Sequence, residues 1–169
     1  MSGSRRMGKI RVSGGCGGEA GRTGTGGAAD LALGTAELGL RGGDGPAFAL
    51  LDAFVERGGT RIDTARVCSD WIPGERGRSE RIIGDWMRLR GNRGRISIAT
   101  KGGHPPLGRM RHARMSPRDI RSDLEASLRT LRADAVDVYY VHRDDPARPA
   151  AEIVETLEGF VREGLVRAY

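Results

Sequence analysis

The sequence predicts an α/β protein built from four consecutive strand–helix units and the start of a fifth strand. Three observations support this fold class. From residue 30 onward, short apolar runs alternate with longer amphipathic stretches. Glycine or proline stands at most of the boundaries between them. The order strand, helix, strand, helix is kept throughout, which implies a parallel sheet with right-handed crossovers, either open and doubly wound or part of a barrel.

The first unit begins with an apolar run at residues 31–33 that ends at Gly34 and Thr35. Pro46 suits the first turn of a helix and opens an amphipathic stretch. The apolar face of this stretch carries Phe48, Leu51, Phe54 and Val55. Gly58 and Gly59 then end the predicted helix.

The second unit has a predicted strand at residues 60–63, a long loop, and a helix that starts near Ser79. The apolar face of this helix comprises Ile82, Ile83, Trp86 and Met87. Gly91 and Gly94 close the unit.

The third unit begins with a strand at residues 96–100 and a loop rich in glycine, proline and histidine. Ser116, Pro117 and Asp119 then match the cap, first-turn proline and acidic third position of a helix start. The predicted helix buries Ile120, Leu124, Leu128 and Leu131.

The fourth unit has a β-rich strand at residues 135–141 and a helix with Ile153, Leu157, Phe160 and Val161 on its apolar face. Gly164 ends that helix, and residues 165–169 resemble the start of a fifth strand. A complete (β/α)8 barrel usually needs about 250 residues. For a barrel, we therefore expect about half of the fold, truncated in strand five.

Residues 1–29 are dominated by glycine, serine, arginine and threonine, and we predict that they form a flexible tail before a domain at residues 30–169. Two segments of the tail, residues 15–20 and 24–29, match the dinucleotide pattern GxGxxG/A. Neither follows a predicted strand or opens a helix, which phosphate binding by this motif requires. We interpret both as low-complexity sequence.

The formal net charge of +6 raises the question of a nucleic-acid partner. Arginines are dispersed beside acidic residues and aromatics are few, so we predict a solvated charged surface and no nucleic-acid binding.

No run of eighteen apolar residues and no signal peptide is present, so we predict a cytoplasmic protein without a membrane segment. Cys16 and Cys68 show no metal-binding spacing, which predicts free thiols and no metal site.

Ionisable residues follow three neighbouring strands of the predicted sheet: Asp63, Lys101 and His142. In α/β barrels, active sites are built at the carboxyl ends of the strands. Lys9 and Lys101 are the only lysines in a chain that otherwise uses arginine. An arginine guanidinium cannot change its protonation state, so a retained lysine favours a chemical role. Each residue alone is also compatible with a structural role, but the three together predict a catalytic cluster.

A series of motifs resembles the aldo-keto reductase family over residues 31–169. The matching segments are Asp63-Thr64-Ala65, Ser79-Glu80 with Ile83-Gly84, Thr100-Lys101, Ser127-Leu128 with Leu131, Val136-Asp137-Val138-Tyr139, and His142. Residues 102–105 and 142–146 resemble one bacterial branch of the family. The resemblance implies half of a (β/α)8 (TIM) barrel and an oxidoreductase that reduces an aldehyde or ketone with NADPH. It also implies catalytic roles for Asp63, Lys101 and His142, and a nicotinamide site near Gly34, Thr35 and Asp63.

One family residue is replaced, because the proton-donating tyrosine expected five residues after Asp63 is Cys68. A thiol is a weak donor on a shorter side chain, and we expect Lys101 to push it toward thiolate. Tyr139 and Tyr140 are poor substitutes because adjacent strand residues point to opposite faces. The residues that hold the 2′-phosphate of NADP in the family come from later strands. We therefore expect weak or absent NADP(H) binding and impaired or absent activity.

Two alternatives remain at this stage. One is an inactive half-barrel that associates with another chain, or with itself, through open sheet edges. The other is a Schiff-base enzyme that uses Lys101 as its nucleophile. The adjacent Asp63 argues against the second alternative, because a carboxylate favours the charged ammonium over the free amine.

Overall fold

The computed structural model describes residues 31–169. The predicted tail, with Lys9, Cys16 and both GxGxxG/A matches, lies outside the described residues. Five strands form one parallel sheet in the order β1-β2-β3-β4-β5. They are β1 (Ala32–Gly34), β2 (Arg61–Asp63), β3 (Ser97–Gly102), β4 (Val136–Val141) and β5 (Val166–Ala168).

A helix connects each strand to the next: α1 (Asp44–Glu56), α2 (Arg78–Arg90), α3 (Pro117–Leu131) and α4 (Ala150–Arg162). A short 3-10 turn, Arg93–Arg95, precedes β3. The predicted parallel α/β architecture is confirmed. Strand order follows chain order across this sheet, as in a barrel, whereas a doubly wound sheet reverses its order at a switch point.

The core lies between one face of the sheet and the helices. Ile82, Ile83 and Trp86 of α2 are completely buried, as predicted from their spacing. In β3, Ile98 and Thr100 point to this core, while Lys101 lies on the opposite face. The register pairs Lys101 with Tyr140 of β4 on that opposite face. The alternation therefore directs the ionisable group of β3 away from the helices.

The close approach of α2 and α3 depends on Gly84, a core position in the middle of α2. A side-chain carbon at this position would lie 2.7 Å from the Thr130 carbonyl oxygen and 2.8 Å from that of Leu131. Both oxygens belong to the backbone and cannot rotate away. The pairing of α2 with α3 thus requires a residue without a side chain here.

Several predicted boundaries change in the structure. Helix α1 begins at Asp44, two positions before Pro46, and β3 extends to Gly102 because it pairs with β4 through Val141. The predicted cap of α3 is confirmed, since Ser116 Oγ accepts a hydrogen bond from the Asp119 amide at 3.1 Å. The prediction for Val161 is wrong: it is 37% exposed, because α4 packs through Leu157 and Phe160 instead.

Candidate active site

An ion pair joins two of the predicted site residues. Asp63 is the last residue of β2, and Lys101 lies near the end of the adjacent β3. Lys101 Nζ donates to both Asp63 carboxylate oxygens at 2.7 Å and to the Thr64 carbonyl oxygen at 2.8 Å. An ammonium has three N–H donors, and three acceptors surround this one. The lysine is therefore held in a defined position as a cation.

His142, which directly follows β4, is held by its backbone amide, which donates to the Gly102 carbonyl oxygen at 2.8 Å. Burial, followed by the charges of His104, Lys101 and Arg143, lowers the pKa of His142 to about 4, while Asp63 acts in the opposite direction. The charges of Lys101 and Asp63 thus act on the imidazole. The catalytic role of the three residues together stays a prediction. The His142 ring is neutral at pH 7.

Cys68 lies in the loop after β2, where its backbone amide donates to the Ala65 carbonyl oxygen at 3.0 Å. The residue is 8% exposed. Burial raises the pKa of the Cys68 thiol, and this effect outweighs the charge of Lys101 and a hydrogen bond with Thr64, which act against it. Lys101 thus acts toward the thiolate, as expected, but the net effect on the pKa is upward and the thiol is not converted to a thiolate. Burial outweighs the lysine charge, which the paired Asp63 partly neutralises.

Three buried hydroxyl groups, which we call the hydroxyl cluster, support the backbone around Asp63: Thr35, Thr64 and Ser79. Ser79 Oγ donates to the Thr35 carbonyl oxygen at 2.8 Å and lies 3.2 Å from Thr64 Oγ1. Ser79 Oγ also lies 3.0 Å from Thr35 Oγ1, so the three hydroxyl groups share one hydrogen-bond network. Thr35 Oγ1 and the Thr35 amide donate to the Asp63 carbonyl oxygen at 2.9 and 3.0 Å. Sequence reasoning missed this cluster.

The cluster bears on the predicted cofactor residues. Thr35 is 3% exposed and its hydroxyl is committed to Asp63, so in this structure it acts on the site through that residue. A direct contact of Thr35 with a cofactor stays a prediction. Gly34 is exposed, and a side-chain carbon there would meet nothing within 4 Å. The surface beside Gly34 and Asp63 is thus open to a ligand.

Glu80 is a second residue whose role sequence reasoning missed, since the Ser79-Glu80 pair entered only as a motif. It is completely buried and accepts a hydrogen bond from Thr100 Oγ1 at 2.7 Å. Burial raises the pKa of Glu80, against the effects of Ser127, Thr100 and Arg66. Glu80 ties α2 to β3 at the residue next to Lys101.

The two tyrosines of β4 occupy opposite faces, as predicted. Tyr139 is buried, and its hydroxyl donates to the Ile120 carbonyl oxygen at 3.1 Å. Burial raises the pKa of Tyr139 well above its ordinary value. Tyr140 is 46% exposed on the face that carries Lys101. Tyr139 therefore has no access to the candidate site.

A cleft of about 590 Å³ opens between the loops that follow β3 and β4. Its walls include Gly103 and Pro105 from the first loop and Arg143 and Asp144 from the second. These residues belong to the loops after β3, which carries Lys101, and after β4, which His142 directly follows. The cleft therefore offers space for a small molecule at the carboxyl end of the sheet.

The Asp–Lys pair and the neutral histidine lie at the carboxyl ends of parallel strands, where α/β barrels build their active sites. The family model described as "Aldo/keto reductase family" matches residues 30–169. The chain belongs to the aldo/keto reductase family, a family of oxidoreductases. No helix in residues 31–169 is long and apolar enough to cross a membrane.

Individual relatives agree with this assignment. The chain is 36% identical over 133 residues to "Aflatoxin B1 aldehyde reductase member 4" of Homo sapiens, a match that covers 78% of this chain and 37% of the relative. It is 34% identical to "Aryl-alcohol dehydrogenase [NADP(+)]" of Phanerodontia chrysosporium, covering 70% and 32%. The chain thus spans about a third of the length of these curated relatives.

Solved structures share the fold. The holo form of an aldo-keto reductase from Bacillus halodurans matches with a TM-score of 0.67 and 28% identity, over 82% of this chain and 44% of that one. The thermostable aldo-keto reductase Tm1743 matches with a TM-score of 0.65 and 27% identity, over 80% and 46%. Residues 31–169 therefore form part of the family's barrel.

Proposed function

We propose that this chain provides the Asp–Lys–His part of a site that reduces an aldehyde or ketone with NADPH, and that Cys68 makes this reduction slow. The observation that carries the proposal is the Lys101 ammonium, bound by both oxygens of Asp63 at 2.7 Å and by the Thr64 carbonyl at 2.8 Å. A cation fixed in this way stabilises negative charge that develops on a nearby carbonyl oxygen.

The individual residues have separate tasks in this proposal. NADPH, when bound, supplies a hydride to the carbonyl carbon. Lys101 stabilises the oxygen electrostatically, Asp63 holds Lys101, and the neutral His142 orients the oxygen by donating a hydrogen bond. Cys68 occupies the family's tyrosine position with a protonated thiol, which is a weak donor.

The surface beside Gly34 and Asp63 fits the nicotinamide end of the cofactor, because Gly34 leaves the approach open. A relative whose name includes NADP(+) supports NADP(H) as the cofactor. The family's residues for the 2′-phosphate come from later strands, so we expect weak binding to this chain alone. Titration with NADPH, followed by its fluorescence, measures this affinity directly.

The test of catalysis uses a complete barrel, in which residues 31–169 are joined to the second half of the Bacillus halodurans relative. Cys68→Tyr restores a proton donor and should raise aldehyde-dependent NADPH oxidation by about 10²- to 10⁴-fold. Cys68→Phe is the matched control, since it adds the ring without the hydroxyl and should give no such gain. Lys101→Met should abolish the activity that tyrosine restores. Equal rates for Cys68→Tyr and Cys68→Phe would refute the assigned role of position 68.

A second candidate function is self-association of residues 31–169 through the face of the sheet that carries Tyr140. Tyr140 is 46% exposed on that face, and parallel sheets are normally covered on both sides. Light scattering after size-exclusion chromatography would show a dimer that Tyr140→Glu dissociates. Val154→Glu is the control, because Val154 is 43% exposed on the helical side. A monomer at all concentrations would remove this candidate.

The geometry weighs against the Schiff-base alternative. A lysine nucleophile must be a free amine, whereas the three acceptors around Lys101 Nζ favour the ammonium. Borohydride reduction in the presence of an aldehyde should therefore leave Lys101 unmodified in a peptide mass map.

A further inference from the structure

A second histidine, His104, packs against His142 at the candidate site. The two ring centroids lie 4.8 Å apart with an angle of 64° between the planes. His104 is 8% exposed, and its Nδ1 lies 2.6 Å from the Pro105 carbonyl oxygen. A carbonyl oxygen only accepts hydrogen bonds, so Nδ1 of His104 must carry a proton. The neutral His104 ring is therefore the Nδ1–H tautomer.

The Nδ1 atom of His142 has the opposite environment. It is buried from solvent and has no hydrogen-bond partner within residues 31–169. Buried N–H groups without an acceptor are rarer in proteins than buried acceptors without a donor. The single proton of the neutral His142 ring is thus placed on Nε2, and the buried Nδ1 carries no proton.

We propose that His104 is a positioning residue that shields Nδ1 of His142 and thereby restricts the neutral His142 ring to the Nε2–H tautomer. The functional meaning rests on the proposed carbonyl reduction: an Nε2–H donates to a carbonyl oxygen, whereas the other tautomer would present a lone pair and repel it. The tautomer itself is a property of this chain and needs no cofactor. His104 belongs to the loop between β3 and α3, residues 103–116, and has so far been given no role in the reaction.

The first test measures tautomers in the wild-type chain at pH 7 by long-range ¹H–¹⁵N NMR after ¹⁵N-histidine labelling. The chain contains three histidines, His104, His112 and His142, so the spectrum can be assigned completely. We expect His104 as Nδ1–H and His142 as Nε2–H, the latter in about tenfold excess or more over its alternative. A His142 ring with its proton on Nδ1, or an even mixture, would overturn the proposal.

The second test removes the shield. His104→Ala admits water to Nδ1 of His142, so we expect a mixture of tautomers and a His142 pKa that rises from about 4 toward the ordinary 6.5. His104→Phe keeps an aromatic ring against His142 and should keep the Nε2–H tautomer. His112→Ala, an exposed position of the same loop, is the control and should change neither quantity.

The outcomes separate this proposal from the proposed function. An unchanged His142 in His104→Ala, or identical behaviour of the alanine and phenylalanine variants, would refute the shielding role. If the alanine variant does not fold, the wild-type tautomers and His104→Phe still decide the question. Failure of carbonyl reduction in the completed barrel would leave these tautomers unaffected, because NADPH is absent from the NMR sample.

Discussion

Removal of the central hydroxyl of the hydroxyl cluster should destabilise the chain by a calculable amount. In Ser79→Ala, the Thr35 carbonyl oxygen loses the Ser79 proton but keeps the Leu38 amide at 3.1 Å. The Thr64 hydroxyl, which is completely buried, loses the Ser79 oxygen and keeps the hydrogen bond with the Cys68 sulfur, which is a weak partner. A buried hydroxyl is therefore left poorly satisfied, which costs about 1–3 kcal/mol. We expect the free energy of unfolding to fall by this amount.

The assay is urea denaturation followed by circular dichroism, with Ser122→Ala as the control because Ser122 is exposed. Surface substitutions of that kind change stability by no more than about 0.5 kcal/mol.

A second measurement connects the cluster to the site. The chain has two lysines, Lys9 and Lys101, so selective ¹³C-lysine labelling gives one signal for each. The Lys101 signal should shift in Ser79→Ala, since the Thr64 carbonyl contacts it, and stay in place in Ser122→Ala. Equal stability of the two variants would show that the hydrogen-bond assignment is incorrect.

The remaining predictions concern stability. Gly84→Ala should lower the free energy of unfolding by about 1–3 kcal/mol, because the added methyl group clashes with α3. Gly94→Ala is the control, since Gly94 has open space around it and no clash is expected. Similar urea midpoints for the two variants would contradict the packing argument. Hydrogen bonds from Arg90 and Trp86 lower the pKa of Asp52 to about 2, against a smaller effect of burial. The ionised Asp52 therefore stabilises the fold at a pH above its ordinary pKa of 3.8, and this stabilisation is lost as the pH falls through 2. In an acid titration, Asp52→Asn should lose less stability between pH 3.8 and pH 2 than the wild type.

The elements could be predicted from the sequence because burial of side chains on one face decides where helices and strands form. Ile82, Ile83 and Trp86 recur at helical spacing and are all completely buried. Periodicity is less informative at the edge of an apolar face. Val161 follows Phe160 directly, and only the orientation of α4 determines that Phe160 is buried while Val161 is 37% exposed.

The ion pair of the site could also be predicted, since strand ends of a parallel sheet meet at one edge, whereas the groups that support it could not. The hydroxyl cluster joins positions 15 and 44 residues apart in the chain, and no local pattern marks those contacts. The thiol of Cys68 illustrates a different difficulty. Its distance from Lys101 in the chain suggests nothing about burial, and burial is the effect that determines the direction of its pKa.

The electrostatics of the site bear on where a proton could come from in the proposed reaction. Cys68 has a raised pKa and His142 has a pKa of about 4, so at pH 7 the first is a protonated thiol and the second a neutral imidazole. Both donate hydrogen bonds, but a thiol is a weak donor on a side chain shorter than tyrosine. A neutral imidazole is a far weaker acid than an imidazolium, so His142 does not deliver a proton at that pH. Lys101 is committed to Asp63 and Thr64. Stabilisation of a developing oxyanion and delivery of a proton are therefore separated at this site: the first is supplied by Lys101 and His142, while the second falls to solvent. A rate that Cys68→Tyr raises but Cys68→Phe does not is the direct consequence of that separation.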